Sequence, residues 1–207
     1  MFKQMSSIHS EILDEVLETR RSVKTFSGVA PSKKDIELII RAGLRTPFAG
    51  KPAREKKDFR RIFVIPTDSG VMKRIEVLLI GALANIQGDT KEIDVPQNVK
   101  AFVRNAPYLI IAAERKGFPV TYMADNSISI SYCMFGMWLK ATTLKIGFKL
   151  VSAFIHAKMG NNNEFCQLIG LPCGEYALDA CLIGYPHDKY NLPLVSYPEY
   201  ESNVFWL

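Results

Sequence analysis

The chain has 207 residues, 48% of them hydrophobic, and a formal net charge of +5. That length suits one large domain or two small ones, and the apolar share is enough for a core without disulfide or metal staples. No run approaches the roughly 18 consecutive apolar residues of a membrane span, and Met1-Phe2-Lys3-Gln4 lacks the apolar region of a signal peptide. The expectation is a soluble cytoplasmic protein whose partners include neither membrane nor nucleic acid. Cys133, Cys166, Cys173 and Cys181 contain no CxxC pair, and His9, His156 and His187 are scattered. Reduced, mostly buried thiols and no metal site are therefore expected.

In chain order, Ile8, Ile12, Leu13, Val16 and Leu17 recur at helical spacing and predict a helix over Ile8 to Thr19. Directly after it comes Arg20-Arg21-Ser22-Val23-Lys24, ahead of the turn Ser27-Gly28. Such a cluster is either a solvated basic turn or a donor set for a phosphate, to which arginine offers a bidentate fork and lysine a point charge. Ser32, with Asp35 three positions later, caps a second helix with apolar Ile36, Ile39, Ile40 and Leu44; Pro47 and Gly50 end it. Residues 51–61 are dense in charge, but Glu55 and Asp58 interrupt the cations and Phe59 is the sole aromatic. That composition favours a solvated loop over a nucleic-acid patch.

Arg61 to Pro66 reads as a strand, Ser69 to Ile86 as a helix capped by Asp68 or Ser69, Gln87 to Pro96 as a loop and Val99 to Val103 as a short helix. Tyr108 to Ala113 is a continuous apolar run, a buried strand. Asp125 to Ile146 is the longest predicted helix, apolar nearly all round and closed by Gly147, so it belongs in a core or at a subunit interface. Its Met134, Phe135, Met137 and Trp138 read as packing residues in preference to a ligand box. Phe148 to Phe154 predicts a strand, Asn163 to Ile169 a short helix stopped by Gly170 and Pro172, and Tyr176 to Tyr185 a last core strand. In the tail, Phe205-Trp206-Leu207 is apolar enough to dock on its own chain or a partner's. The order is not a regular βαβ alternation, and it predicts an α+β fold.

Five segments in this order resemble the nitroreductase family of flavin mononucleotide (FMN) enzymes. They are Arg20-Arg21-Ser22-Val23-Lys24-Thr25-Phe26; Thr46-Pro47-Phe48-Ala49-Gly50; Asn105-Ala106-Pro107-Tyr108-Leu109-Ile110-Ile111; Leu144-Lys145-Ile146-Gly147; and Leu168-Ile169-Gly170-Leu171-Pro172 with Ala180-Cys181-Leu182-Ile183-Gly184-Tyr185-Pro186. The resemblance implies one domain over 1–207, with a mostly antiparallel central sheet surrounded by helices and a long core helix at a homodimer interface. It implies that the 187–207 tail docks on the partner subunit.

It also implies bound FMN, NADH or NADPH as electron donor, and a small electrophilic acceptor such as a nitroaromatic or quinone. By that resemblance Arg20, Arg21, Ser22 and Lys24 hold the phosphate. Pro47, Phe48, Ala49, Gly50 and Lys51 meet the ring across the dimer interface, and the backbone around Ser152 and Ala153 approaches the ring's central nitrogen. No catalytic side chain is expected, because the flavin supplies the chemistry and the pocket positions the reactants. The chain departs from the family pattern at Lys51, where the family has asparagine, at Phe48, where it has serine, and at Ala53-Arg54-Glu55, where it has Gln-Pro-Trp. Nothing after Lys189 is basic, which leaves the phosphate more dependent on residues 20–24. Flavin binding without turnover, and divergent activities such as flavin fragmentation, dehalogenation or heterocycle oxidation, stand as alternatives.

Overall fold

The computed structural model describes residues 2–48, 59–86, 103–116 and 123–187. The predicted Gln87 to Pro96 loop, most of the Val99 to Val103 helix, and the tail beyond His187 lie outside these residues, as do Ala49, Gly50 and Lys51. The elements are α1 (Phe2–Thr19), α2 (Lys33–Leu44), β1 (Arg60–Pro66), α3 (Gly70–Ile86), β2 (Tyr108–Arg115), α4 (Met123–Thr143), β3 (Gly147–Leu150), α5 (Ala153–His156), a 3₁₀ turn (Met159–Asn161), α6 (Asn163–Ile169) and β4 (Tyr176–Gly184).

The strands form one antiparallel sheet in the order β1-β2-β4-β3. Along β2, Leu109, Ile111 and Ala113 face a core shared with Met72, Ile75 and Leu79 of α3, Phe154 of α5 and Phe165 of α6. The alternate residues Ile110 and Ala112 face a second core with Ile36 and Ile39 of α2, and Met134 and Met137 of α4. Burial on both faces is why β2 and β4 read as continuous apolar runs. Each fully buried Leu or Ile contributes roughly 1.5–3 kcal/mol, so these two central strands anchor the domain.

The predicted caps form. Ser32 Oγ accepts the Asp35 amide at 3.2 Å and donates to the Asp35 carboxylate at 2.7 Å. Of the two candidates for α3, Ser69 takes the role, its hydroxyl accepting the Met72 amide at 3.1 Å.

Several boundaries differ from expectation. Helix α1 begins at Phe2, and α4 runs Met123–Thr143. Gly147 does not close α4: Lys145 takes the left-handed conformation (φ 56°), and the Ile146 amide donates to the Ala141 carbonyl at 2.9 Å. Gly147 is instead the first residue of β3, where a Cβ would lie 2.9 Å from Val23 Cγ2 and 3.0 Å from Phe26 Cε1. Its missing side chain lets the 23–26 segment press against the sheet.

The strand expected over Phe148 to Phe154 stops at Leu150. Val151, Phe154 and Ala157 are buried at intervals of three, a helical spacing, and Ser152 adopts αR geometry to start α5. The apolar and aromatic residues Phe148, Leu150, Val151 and Phe154 hide the change of period.

Candidate functional site

The Arg20–Lys24 segment is laid along the free edge of β3. Ser22 forms a parallel bridge with Phe148, and the Val23 amide donates to the Phe148 carbonyl at 3.0 Å. Val23 and Phe26 plug into the core, while Ser22 and Lys24 face outward. The burial pattern thus presents the polar residues of the cluster on one side and anchors it with the apolar ones.

An aromatic stack aims Arg20. Its guanidinium lies 4.2 Å from the centroid of Trp138, whose ring stacks on Phe148 at 5.3 Å. Trp138 Nε1 donates to the Arg21 carbonyl at 3.2 Å, fixing the backbone between Arg21 and Ser22. The Arg21 guanidinium turns back to donate to the carbonyls of Glu18 and Arg20, closing the C-terminus of α1, where a cation is electrostatically favoured. Arg21 also lines a cleft of about 640 Å³ between α1 and the end of α4, with Ile12, Thr142 and Lys145.

The fold adds a cation that the sequence reading treated only as a strand residue. Lys149 on β3 is half-buried; burial, and then the nearby charge of Lys24, hold its ammonium below the ordinary lysine range. Asn105 Nδ2 donates to the Lys24 carbonyl at 2.8 Å and ties the segment to the residues before β2. Ser152, exposed, follows β3 by two residues, and its hydroxyl makes no capping bond to α5. Arg20, Ser22, Lys24, Lys149, Ser152 and Ala153 therefore lie on or beside the same sheet edge. The donor set of arginine, hydroxyl and paired lysines suits a phosphate monoester.

Thr46, Pro47 and Phe48 are elsewhere. They follow α2 and pack over the start of β1, at the opposite edge of the sheet, where the Phe48 and Phe59 rings approach to 4.5 Å. Their neighbour on α4 is Ser129, nine residues from Trp138, which is about 14 Å along a helix axis. One chain thus does not bring its own 46–48 turn onto its own cation segment. Pro47 and Phe48 are exposed.

Beneath the 46–48 turn lies a buried polar cluster. Arg60 and Glu114 pair across β1 and β2 at 2.7 Å. Nearby, Asp179 of β4 is pushed from 3.8 up to about 6 by burial, an effect partly offset by a bond from the Ala180 amide. Cys133 is raised to about 11 and Cys181 well above its ordinary value, both chiefly by burial, so neither is a thiolate near neutral pH. Cys173 is the exposed thiol among four free cysteines. Among the described residues no group of three or more His, Cys, Asp or Glu is placed to hold a metal ion. No helix among them is long and apolar enough to cross a membrane.

Comparison with known proteins gives a consistent result. The model of the nitroreductase family matches residues 17–185. No curated protein sequence matches the chain. Among solved structures, the fold is shared with a nitroreductase with bound FMN from Desulfitobacterium hafniense DCB-2, at 19% identity and TM-score 0.69, covering 95% of this chain and 98% of that one. A BluB-like flavoprotein from Clostridium difficile 630 is similar at 20% identity and TM-score 0.69, covering 94% and 98%. A putative NADH dehydrogenase/NAD(P)H nitroreductase from Bacteroides thetaiotaomicron VPI-5482 is similar at 18% identity and TM-score 0.62, covering 93% and 96%. The α+β architecture with an antiparallel sheet is that of these structures.

Proposed function

The chain belongs to the nitroreductase family, and from that premise we propose that it is an FMN-dependent oxidoreductase that passes hydride from NADH or NADPH to a small electrophilic acceptor, a nitroaromatic or quinone. The observation that supports this most is the gathering of Arg20, Ser22, Lys24 and Lys149 along one sheet edge, next to Ser152 and Ala153. When bound, FMN supplies the electron-carrying ring.

The residues of this chain bind and orient. Arg20, held over Trp138, and Lys24 receive the phosphate, and Ser22 donates its hydroxyl. Arg21 serves the same end by keeping the C-terminus of α1 closed beside the clamp. Lys149 adds charge that residues 190–207, none of them basic, do not supply. The backbone at exposed Ser152 and half-buried Ala153 borders the ring, and residues 46–51 of a second copy of the chain cover it.

That second copy is part of the reading. Helix α1 exposes Ile8, Ile12, Leu13 and Leu17, and α4 exposes Ile128, Tyr132 and Phe135. Apolar residues on two adjacent helices suit an obligate interface. A cytoplasmic homodimer, each chain one domain with its 187–207 tail on the partner, completes the proposal. The FMN named with the Desulfitobacterium structure and the NAD(P)H named with the Bacteroides one agree with the cofactor and donor. The BluB-like neighbour keeps the divergent flavin chemistries as the second reading, favoured by the altered residues Phe48 and Lys51.

The spectrum of the purified protein tests the proposal. Oxidised-flavin absorbance, gained or retained on adding FMN and bleached anaerobically by NADH or NADPH, is the expected result. A protein that stays colourless with excess FMN overturns it, and a yellow protein that neither nucleotide bleaches leaves flavin binding without this turnover.

A further inference from the structure

Arg60 is the first residue of β1, and its side chain is 1% exposed. A cation this deep is tolerated only when its donors are taken. Nε and Nη2 both donate to Glu114 Oε2, at 2.9 and 2.7 Å. Nη1 donates to the Gly43 carbonyl at 3.0 Å and to Thr46 Oγ1 at 3.1 Å. Nη2 also reaches the Pro47 carbonyl at 3.2 Å and Ser129 Oγ at 3.0 Å. One planar group therefore joins the sheet, the end of α2, the middle of α4 and the turn that leads out of α2.

The helices are shaped to deliver that turn. A Cβ on Gly136 of α4 would lie 2.6 Å from Thr46 Cγ2, and one on Gly43 of α2 would lie 2.6 Å from Met137 Cγ and 3.0 Å from the Cys133 carbonyl. The two glycines let α2 close onto α4, lowering the Gly43 carbonyl, Thr46 and Pro47 to the depth of the guanidinium. Thr46 Oγ1 in turn donates to the Gly43 carbonyl at 2.7 Å. Exposed Pro47 and Phe48 are thus carried by a backbone whose Gly43 and Pro47 carbonyls are pinned from below, with Phe48 steadied by Phe59 from the side.

We propose that Arg60, oriented by Glu114 and Ser129, is the positioning residue that sets the Thr46–Phe48 turn for contact with the flavin ring. This rests on the reading that the turn meets the ring. Lysine cannot replace the fork, because it offers a point charge with no planar set of donors.

Apo-protein titrations with FMN and with riboflavin, followed by flavin fluorescence, test the role, with folding of each variant checked by circular dichroism and Tm. Arg60→Lys is expected to weaken both ligands by the same factor, about tenfold, since a misplaced ring contact is indifferent to the phosphate. Arg20→Ala/Lys24→Ala is expected to weaken FMN alone. A folded Arg60→Lys protein with both affinities within about twofold of wild type overturns the positioning role and leaves the flavin reading intact. If Arg60→Lys fails to fold, Ser129→Ala decides: it keeps the ion pair and removes a hydroxyl beside Arg60 and Pro47. Equal weakening of both ligands by about threefold supports the role, and unchanged affinity for both overturns it. A wild-type protein that binds neither ligand overturns the flavin reading, and the positioning role falls with it.

Discussion

Two arginine sites in this molecule use the same chemistry in opposite ways. At the β3 edge, Arg20 lies on an aromatic face beside Ser22 and Lys24, and the segment's outward side chains meet solvent. Beneath the 46–48 turn, Arg60 is buried and its donors are spent on Glu114, Thr46, Ser129 and the carbonyls of Gly43 and Pro47. The first arrangement leaves charge available to a ligand; the second spends it on backbone geometry. Charge count alone, three cations in residues 20–24 and six in residues 51–61, does not separate a ligand clamp from an internal brace. Burial and acceptor inventory do.

The largest expected effect comes from emptying the exposed site. Arg20→Ala/Lys24→Ala should strip FMN, each lost charge-assisted contact costing roughly 1.5–3 kcal/mol, while the Tm of the apo-protein stays near wild type. Equilibrium binding and apo thermal denaturation read both halves. Opening the buried site should instead lower the stability of the apo-protein itself. Glu114→Ala leaves Arg60 buried without its carboxylate and should cost about 3–5 kcal/mol of stability in urea denaturation.

Next in size is a pH effect at Asp179, beside the same buried cluster. Its folded pKa is raised from 3.8 to about 6, so between those values the native state keeps a proton that the unfolded chain has lost. Stability therefore falls as pH rises through that window, and the penalty is complete above it. Asp179→Asn should raise Tm at pH 7.5, by up to about 3 kcal/mol in free energy, with the gain vanishing below pH of about 4. Smallest is Gly136→Ala, which presses a methyl toward Thr46 and should cost about 1–3 kcal/mol. A shift of the 46–48 turn would show as weaker binding of riboflavin as well as of FMN.

Much of this contrast was legible in the sequence at one site and little at the other. The Arg20–Lys24 cluster announced itself through local density, and its neighbours Val23 and Phe26 alternate with the polar residues as an edge segment should. The β2 and β4 runs, the Ser32 cap and the long helix followed from period and composition. Arg60 sits inside a charged run, one residue before the strand that composition predicts from Arg61 onward. Its signal was a cation on the same strand face as Ile62, and opposite it a glutamate ending an apolar run at Glu114. Pairing across strands supplies the meaning, and a single strand does not contain it. Lys149 was missed for the same reason, since its relation to Lys24 exists only once residues 22–24 lie along β3. Composition around Ser152 and Ala153 suggests β, while burial at intervals of three makes the segment a helix.

The central claim is that cations of one chain and the 46–48 turn of another share each flavin, and complementation between two defective chains tests it most directly. Arg20→Ala/Lys24→Ala protein and Pro47→Gly/Phe48→Ala protein, each weak in FMN binding alone, would be mixed, dissociated and reassociated, and bound flavin counted against wild type. Sharing across a two-fold dimer predicts that roughly one site in four recovers wild-type affinity, the statistical share of intact sites in mixed dimers. Wild-type binding with no recovery in the mixture would contradict the account.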